Sequence, residues 1–198
     1  MEEKQTIIAI SREFGSGGHE IAEQIAKDLK LNFYDRNMLD EIAKEKNIQI
    51  GYLEKYEEKP TNLLFSRRVG AYSNSIEEIV AEMQFEYLQK KADTGESFVV
   101  VGRCAETVLK ECEGLISIFI LGDMETKLKR IQEHYHLTRQ EAKIKLKQHD
   151  RKRKQYHNRH SDSEWGSSKT YDLCINDSKL GIEKTVHILE QYIKERML

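Results

Sequence analysis

"ISREFGSGGHEIAEQIAKDL" (10–29) carries an apolar strand into a glycine cluster and the cluster into a helix. Gly15, Gly17 and Gly18 are three glycines in four residues, more than a simple strand-to-helix turn requires. Glycine accepts positive φ and lets a ligand approach the bare backbone. The amides of such a loop, with the positive end of the helix that follows, make a cradle for an oxyanion. The full phosphate-loop pattern is G-x-x-x-x-G-K-[ST]. Aligned on Gly17, it puts Arg12 where the first glycine belongs, Gly18 at the lysine and His19 at the Ser/Thr. The backbone half of a phosphate site is therefore present, and the ammonium and the metal-binding hydroxyl are not. The reading that follows makes Arg12, Gly15, Ser16, Gly17, Gly18, His19 and Glu20 the phosphate-binding set, with Arg12 or an arginine from elsewhere supplying the charge. Glu20 stands as a weak metal ligand in place of the hydroxyl; the alternative is a solvated first-turn glutamate favoured by the helix dipole.

The chain has 198 residues, a third of them charged, with a net charge of −2. That size suits one domain. No global field favours nucleic acid or an anionic membrane, and no apolar run approaches the roughly 20 residues that span a bilayer. "MEEKQTIIAI" (1–10) lacks the basic region and apolar core of a signal peptide. Cys104, Cys112 and Cys174 are odd in number and show no CxxC spacing; they read as free thiols, which points to the cytoplasm.

Away from the glycine cluster, apolar runs alternate with amphipathic stretches. "TIIAISR" (6–12), "SFVVVG" (97–102), "LISIFILG" (115–122) and "YDLCIN" (171–176) read as strands, and "LNFYDRN" (31–37) as a short strand and turn. Continuous apolar runs are typical of strands covered on both faces. Helices are expected over 18–30, from Met38, over about 124–135 and over 181–196, with capping boxes at "SIEE" (75–78) and "TRQE" (138–141) opening two more, the second a long basic helix to about 157. Residues 47–74, with Gly51, Pro60 and Gly70, are the least periodic. Strands alternating with helices imply βαβ units and a parallel sheet, with ligands beyond the carboxyl ends of the strands.

The order of these pieces resembles cytidylate kinase, and more closely the cytidylate kinase-like family of bacterial proteins. The residues that carry the resemblance are "ISREFGSGGHEIA" (10–22), "FYDRNMLDEIA" (33–43), "VVVGRCAE" (99–106), "IFILGDMETKLKRI" (118–131), "HDRKRKQYH" (149–157) and "YDLCINDSKLGIEKTVHIL" (171–189). The resemblance implies a three-layer α/β/α domain of the P-loop nucleoside-monophosphate kinase type, with a five-stranded parallel sheet. It implies one domain over 1–198, a helical substrate-binding insertion at about 37–92 and a lid at about 138–168. It implies transfer of the γ-phosphoryl of ATP, with Mg2+, to a nucleoside monophosphate such as CMP. Asp35 matches the aspartate that faces the acceptor, with Arg36 beside it, and Arg103 matches the arginine that clamps the acceptor phosphate. Arg151 and Arg153 are the nearest matches to the lid arginines. Arginine suits each place because its planar fork grips phosphate through two bonds.

Two departures stand out: the absent loop lysine, and Val101 before Gly102, where the kinases place an acidic residue that helps hold magnesium. They leave two functions open, a phosphotransferase and a degenerate module that binds a nucleotide or anion without turnover. The basic segment 145–160 reads either as a lid or as a solvated helix face. Asp150 is placed to pair with Arg153 or Lys154 along that helix; Tyr156 and Trp165 read as packing. Nucleic acid is not the expected partner, because only Tyr156 interleaves the basic residues. The helix at 75–90, with Met83, Phe85, Tyr87 and Leu88, allows a homodimer.

Overall fold

A computed structural model of the chain describes residues 4–56, 68–69, 72–73 and 75–197. Pro60 and Gly70, singled out above, lie outside the described residues. Five strands form one parallel sheet: β1 (Ile7–Arg12), β2 (Asn32–Tyr34), β5 (Phe98–Val101), β6 (Leu115–Leu121) and β7 (Leu173–Asn176). Their spatial order is β2-β5-β1-β6-β7. β1 is therefore central, and Ile8 sits in register with Val99 on one side and Ile116 on the other.

Side chains alternate across a strand, so a strand covered on both faces has no polar side to show. In β1, Ile7 and Ala9 point into one core and Ile8 and Ile10 into the other. The first core is completed by α2 (Met38–Lys46), α3 (Ile50–Tyr56) and α4 (Ile76–Asp93), through Leu39, Ile42, Leu53, Val80 and Leu88. The second is completed by α1 (Gly18–Asp28) and α8 (Ile182–Met197), through Ile21, Ile25, Val186, Leu189 and Ile193. This is the doubly covered sheet that the apolar runs predict. A short α5 (Ala105–Val108) follows β5.

Two helices finish the fold on the carboxyl side of the sheet: α6 (Met124–Tyr135) and α7 (Arg139–His160). α7 opens with a complete capping box between Thr138 and Glu141. The box expected at 75–78 is only half formed: Ser75 accepts the Glu78 amide at 3.4 Å, while the Glu78 carboxylate turns to Arg159 of α7. α7 also runs three residues past its expected end. Its buried residues are Ala142 and Leu146 near the start and Tyr156 and His157 near the end. Leu146 packs with Leu128 and Ile131 of α6, and Tyr156 with Ala81 and Cys104. The middle of the helix carries no apolar anchor and crosses the end of β1.

Within 47–74 the sequence gives no periodic signal, yet α3 forms there, and the two-residue strands β3 (Arg68–Val69) and β4 (Tyr72–Ser73) pair antiparallel. Tyr87 and Leu88 are buried in the first core, and Met83 packs against it. The apolar side chains of α4 that suggested a dimer face are thus largely spent within the chain.

Phe98 is fully buried between β2 and the helices of the first core. Phe98→Ala is expected to cost about 3–5 kcal/mol, as large-to-small core changes do, read as a shift of the urea midpoint at constant slope.

Candidate functional site

β1 keeps its ladder one residue past Arg12, where the Glu13 amide donates to the Ile120 carbonyl at 3.1 Å, and the chain then turns through the glycines. Gly15 has φ +81° and Gly17 φ +72°, a region where a side chain costs about 1–2 kcal/mol. The first bond of α1 runs from the Ile21 amide to the Gly17 carbonyl at 3.0 Å. The amides of Gly18, His19 and Glu20 therefore have no acceptor inside the helix. They stand at the edge of an open cleft of about 870 Å³, beyond the carboxyl ends of β1 and β5. A side chain on Gly17 would enter this cradle, its Cβ 3.2 Å from the Arg130 guanidinium and 3.3 Å from Asp177. The backbone thus fits an oxyanion such as the phosphates of ATP.

Ser16 is a correction. It is fully buried and its hydroxyl donates to the Glu13 carbonyl at 2.9 Å, so it braces the loop from inside and is turned away from the cleft. Arg12 is held in a slot between two glycines. A Cβ at Gly18 would lie 2.5 Å from Arg12 Cβ, and a Cβ at Gly102 2.4 Å from its Nη1. Arg12, Gly15, Gly17, Gly18, His19 and Glu20 all line the cleft.

The opposite wall begins where β5 ends. Gly102, Arg103 and Cys104 have φ +75°, +60° and +51°, three left-handed residues in succession. Such strain in non-glycine residues persists only where surrounding contacts impose it. The turn folds Arg103 back, 4% exposed, to the cleft lining, close enough for its charge to act on Asp35. Asp35 does two jobs at once. Oδ1 accepts the Asn37 amide at 2.9 Å, a turn cap, while Oδ2 lies 2.8 Å from His19 Nε2. The His19 bond, above all, holds the Asp35 carboxyl below its usual range. His19 is steadied by an edge-on contact with the Phe33 ring. Arg36 also lines the cleft.

From α7, Arg153 reaches the cleft: it donates to the Arg12 carbonyl at 3.3 Å and lies over the Phe14 ring. Arg151 does not. It is exposed and outside the cleft, because two residues along a helix is a turn of about 200° to the opposite face. Of the two partners expected for Asp150, Lys154 pairs with Glu164 instead, while the charge of Arg153 does act on Asp150; its Oδ1 accepts the Phe14 amide at 2.7 Å, and burial pushes the carboxyl up. His149 stacks flat on Phe14 at 4.1 Å. Tyr156 is buried, and Trp165 packs edge-on against Phe119, both as packing residues.

Sequence reasoning missed the cations of α6. Arg130 Nη1 lies 2.6 Å from the fully buried Asp177 and donates to the Gly15 carbonyl at 3.4 Å. Burial raises the Asp177 carboxyl even so. Lys127 pairs with Glu13 at 2.7 Å. The only sequence trace was the Lys127/Arg130 spacing of i, i+3, which puts two cations on adjoining helix positions and says nothing of what they face.

The acidic groups at the cleft do not build a metal cage. Asp35 is bonded to His19, Glu13 is paired with Lys127, and Glu20 is exposed. Among the described residues no group of three or more His, Cys, Asp or Glu gathers.

A parallel sheet in this order, a glycine loop opening the first helix and arginines facing it across a cleft define a P-loop kinase fold. The chain belongs to the cytidylate kinase-like family, which it matches over residues 7–179. It is similar to the crystal structure of an uncharacterized protein from Eubacterium ventriosum, with 37% identity, a TM-score of 0.76 and coverage of 96% of this chain and 99% of that one. Shikimate kinase from Bacteroides thetaiotaomicron shares the fold at 13% identity and TM-score 0.57, with 96% and 98% covered. A sugar kinase from Janibacter shares it at 14% and 0.55, with 96% and 95% covered. No curated protein matches the chain. Family and fold support a phosphotransferase of the P-loop kinase type. No helix among the described residues is long and apolar enough to cross a membrane.

Two outcomes test the site. Gly17→Val should abolish calorimetric binding of ATP while the thermal transition survives. The depressed Asp35 carboxyl contributes stability that is present above its ordinary value of 3.8 and lost as pH falls through the lower folded value. His19→Ala should shrink that acid loss, read from urea midpoints across the acid range; unchanged midpoints would count against the His19–Asp35 bond.

Proposed function

We propose that the chain is an ATP-dependent phosphotransferase acting on a nucleoside monophosphate such as CMP, or on another small acceptor. The observation that carries this reading is the pair of facing walls in one cleft: a bare-amide cradle on one side and Arg103, with Asp35 and His19, on the other. A binding protein for a single anion needs only the first.

In this reading the amides of Gly18, His19 and Glu20 hold the donor phosphates, and Arg153 approaches them from α7. Arg103 and Arg36 grip the acceptor phosphate, and Asp35 meets the acceptor nucleotide. A phosphate oxygen of the acceptor attacks the γ-phosphorus in line, the bond to the ADP oxygen breaks, and the leaving charge stays on ADP. Phosphoryl transfer asks mainly for positioning and positive charge, which the arginines supply without a protein base. Mg2+ bound with ATP would supply positive charge to the donor phosphates beside the Gly18, His19 and Glu20 amides. The protein's own partners are then small phosphorylated ligands. Lys154 and Arg159 are paired within the chain, with Glu164 and Glu78, which argues against a nucleic-acid face on α7.

A second reading, a nucleotide- or anion-binding module without turnover, is favoured by one observation: the loop offers neither a lysine nor a free hydroxyl, since Ser16 is turned inward. Incubation with ATP, Mg2+ and a panel of nucleoside monophosphates, followed by ADP release, separates the two. The kinase reading expects turnover with at least one acceptor, reduced by roughly 10²-fold in Arg103→Ala, the scale of losing one electrostatic contact to a transition state. Binding of ATP with no ADP across the panel would leave the module.

A further inference from the structure

The place where a phosphate loop carries its lysine cannot hold one here. A Cβ on Gly18 would sit 2.5 Å from Arg12 Cβ, and 3.3 Å from Ile120 Cβ. An ammonium is nevertheless delivered to the loop from below. Lys127, on the first turn of α6, has its carbonyl 3.0 Å from where a Cβ of Gly15 would stand, and its stem runs 2.9 Å from where a Cβ of Gly122 would stand. Its side chain is 6% exposed and ends 2.7 Å from Glu13 Oε2. That same oxygen accepts the Gly122 amide at 3.1 Å. Glu13 differs from its partner in two respects: it lines the cleft and is 23% exposed.

A buried ammonium needs a counter-charge, because water no longer solvates it. In the ligand-free protein Glu13 provides that charge, at the foot of a cradle built for an oxyanion. Asp150 stands near enough to both groups to feel their charges. An incoming polyphosphate brings its oxygens beside the Glu13 carboxylate, where the two repel. Of the two, Glu13 is the less buried and has the shorter way to solvent.

We infer that Lys127 is the phosphate-binding cation of this loop, masked in the empty protein by Glu13, which the phosphate chain of a nucleoside triphosphate displaces. The inference rests on the anion reading of the glycine loop and goes beyond it in naming the cation and its placeholder. The ammonium missing from α1 is supplied from α6, and affinity is set by competition between a carboxylate and a phosphate for one Nζ. The alternative use of the pair is a brace tying the loop to α6, and the two uses predict opposite signs for one substitution.

The test is calorimetric titration of the full chain with inorganic tripolyphosphate, free of any nucleoside contact. Glu13→Gln removes the competing charge and keeps the shape; it should tighten binding about tenfold, whereas Lys127→Met should weaken it about tenfold or more, the scale of one charge-assisted contact. Lys127→Arg should bind within a few-fold of the unaltered chain. If Glu13→Gln weakens binding, the pair is a brace and the inference falls; equal affinity in Lys127→Met also overturns it. Should Lys127→Met fail to fold, the sign seen for Glu13→Gln and the retention in Lys127→Arg decide alone. An unaltered chain that binds no tripolyphosphate sinks the anion reading itself, and this inference with it. That result differs from binding that is indifferent to Lys127, which sinks the inference only.

Discussion

Arg12 lies in a slot that only two glycines can leave open. Atoms of its side chain occupy the space within 2.5 Å of any Cβ at Gly18 or Gly102. One residue at the end of β1 thereby packs between the start of α1 and the turn after β5. Those two segments carry the two walls of the cleft, the amide cradle and Arg103. Their separation follows from close packing, since interiors at crystal-like density transmit small displacements. The same slot has a chemical consequence: it forbids a side chain at position 18, so the charge of a phosphate site has to come from elsewhere. Arg130, Arg153 and Lys127 converge on the loop from two other helices.

α7 connects packing with the site. Its two ends sit in small apolar clusters, and its middle meets the loop through polar and ring contacts: Asp150 on the Phe14 amide, Arg153 on the Arg12 carbonyl, His149 flat on Phe14. Hydrogen bonds exchange for water at a small net cost, whereas apolar burial does not. Near the end of α7, His157 Nε2 lies 2.7 Å from Glu106 of α5, and Arg159 reaches Glu78 of α4, so the same helix ties the glycine loop to α5 and α4.

What could be read along the chain was local. Ile7 to Ile10 announce a doubly covered strand because every position is apolar, and Gly15 and Gly17 announce a cradle because no other residue adopts that backbone so cheaply. Asp35 and Arg103 were singled out because they match positions of the family the chain resembles, and Arg103 also because it follows an apolar run, at the edge where a parallel sheet puts its ligands. Ser16 and Arg151 were misplaced for orientational reasons: nothing in the sequence tells which way a loop hydroxyl turns, or which helix face meets the cleft. α3 and the β3–β4 pair escaped notice because short elements carry too few residues to show a period.

The sequence by itself determined the strands, most of the helices and the loop that can hold an anion, since each depends on neighbours within a few residues. Tertiary structure alone decided which charges serve that loop. Glu13 meets Lys127 across 114 positions, Arg130 meets Asp177 across 47, and Phe14 meets Asp150 across 136. A charge has no periodicity and no intrinsic partner. Which opposite group it finds depends on where the sheet order and the helix crossings bring it, and that geometry is settled by burial of apolar side chains that carry no charge at all.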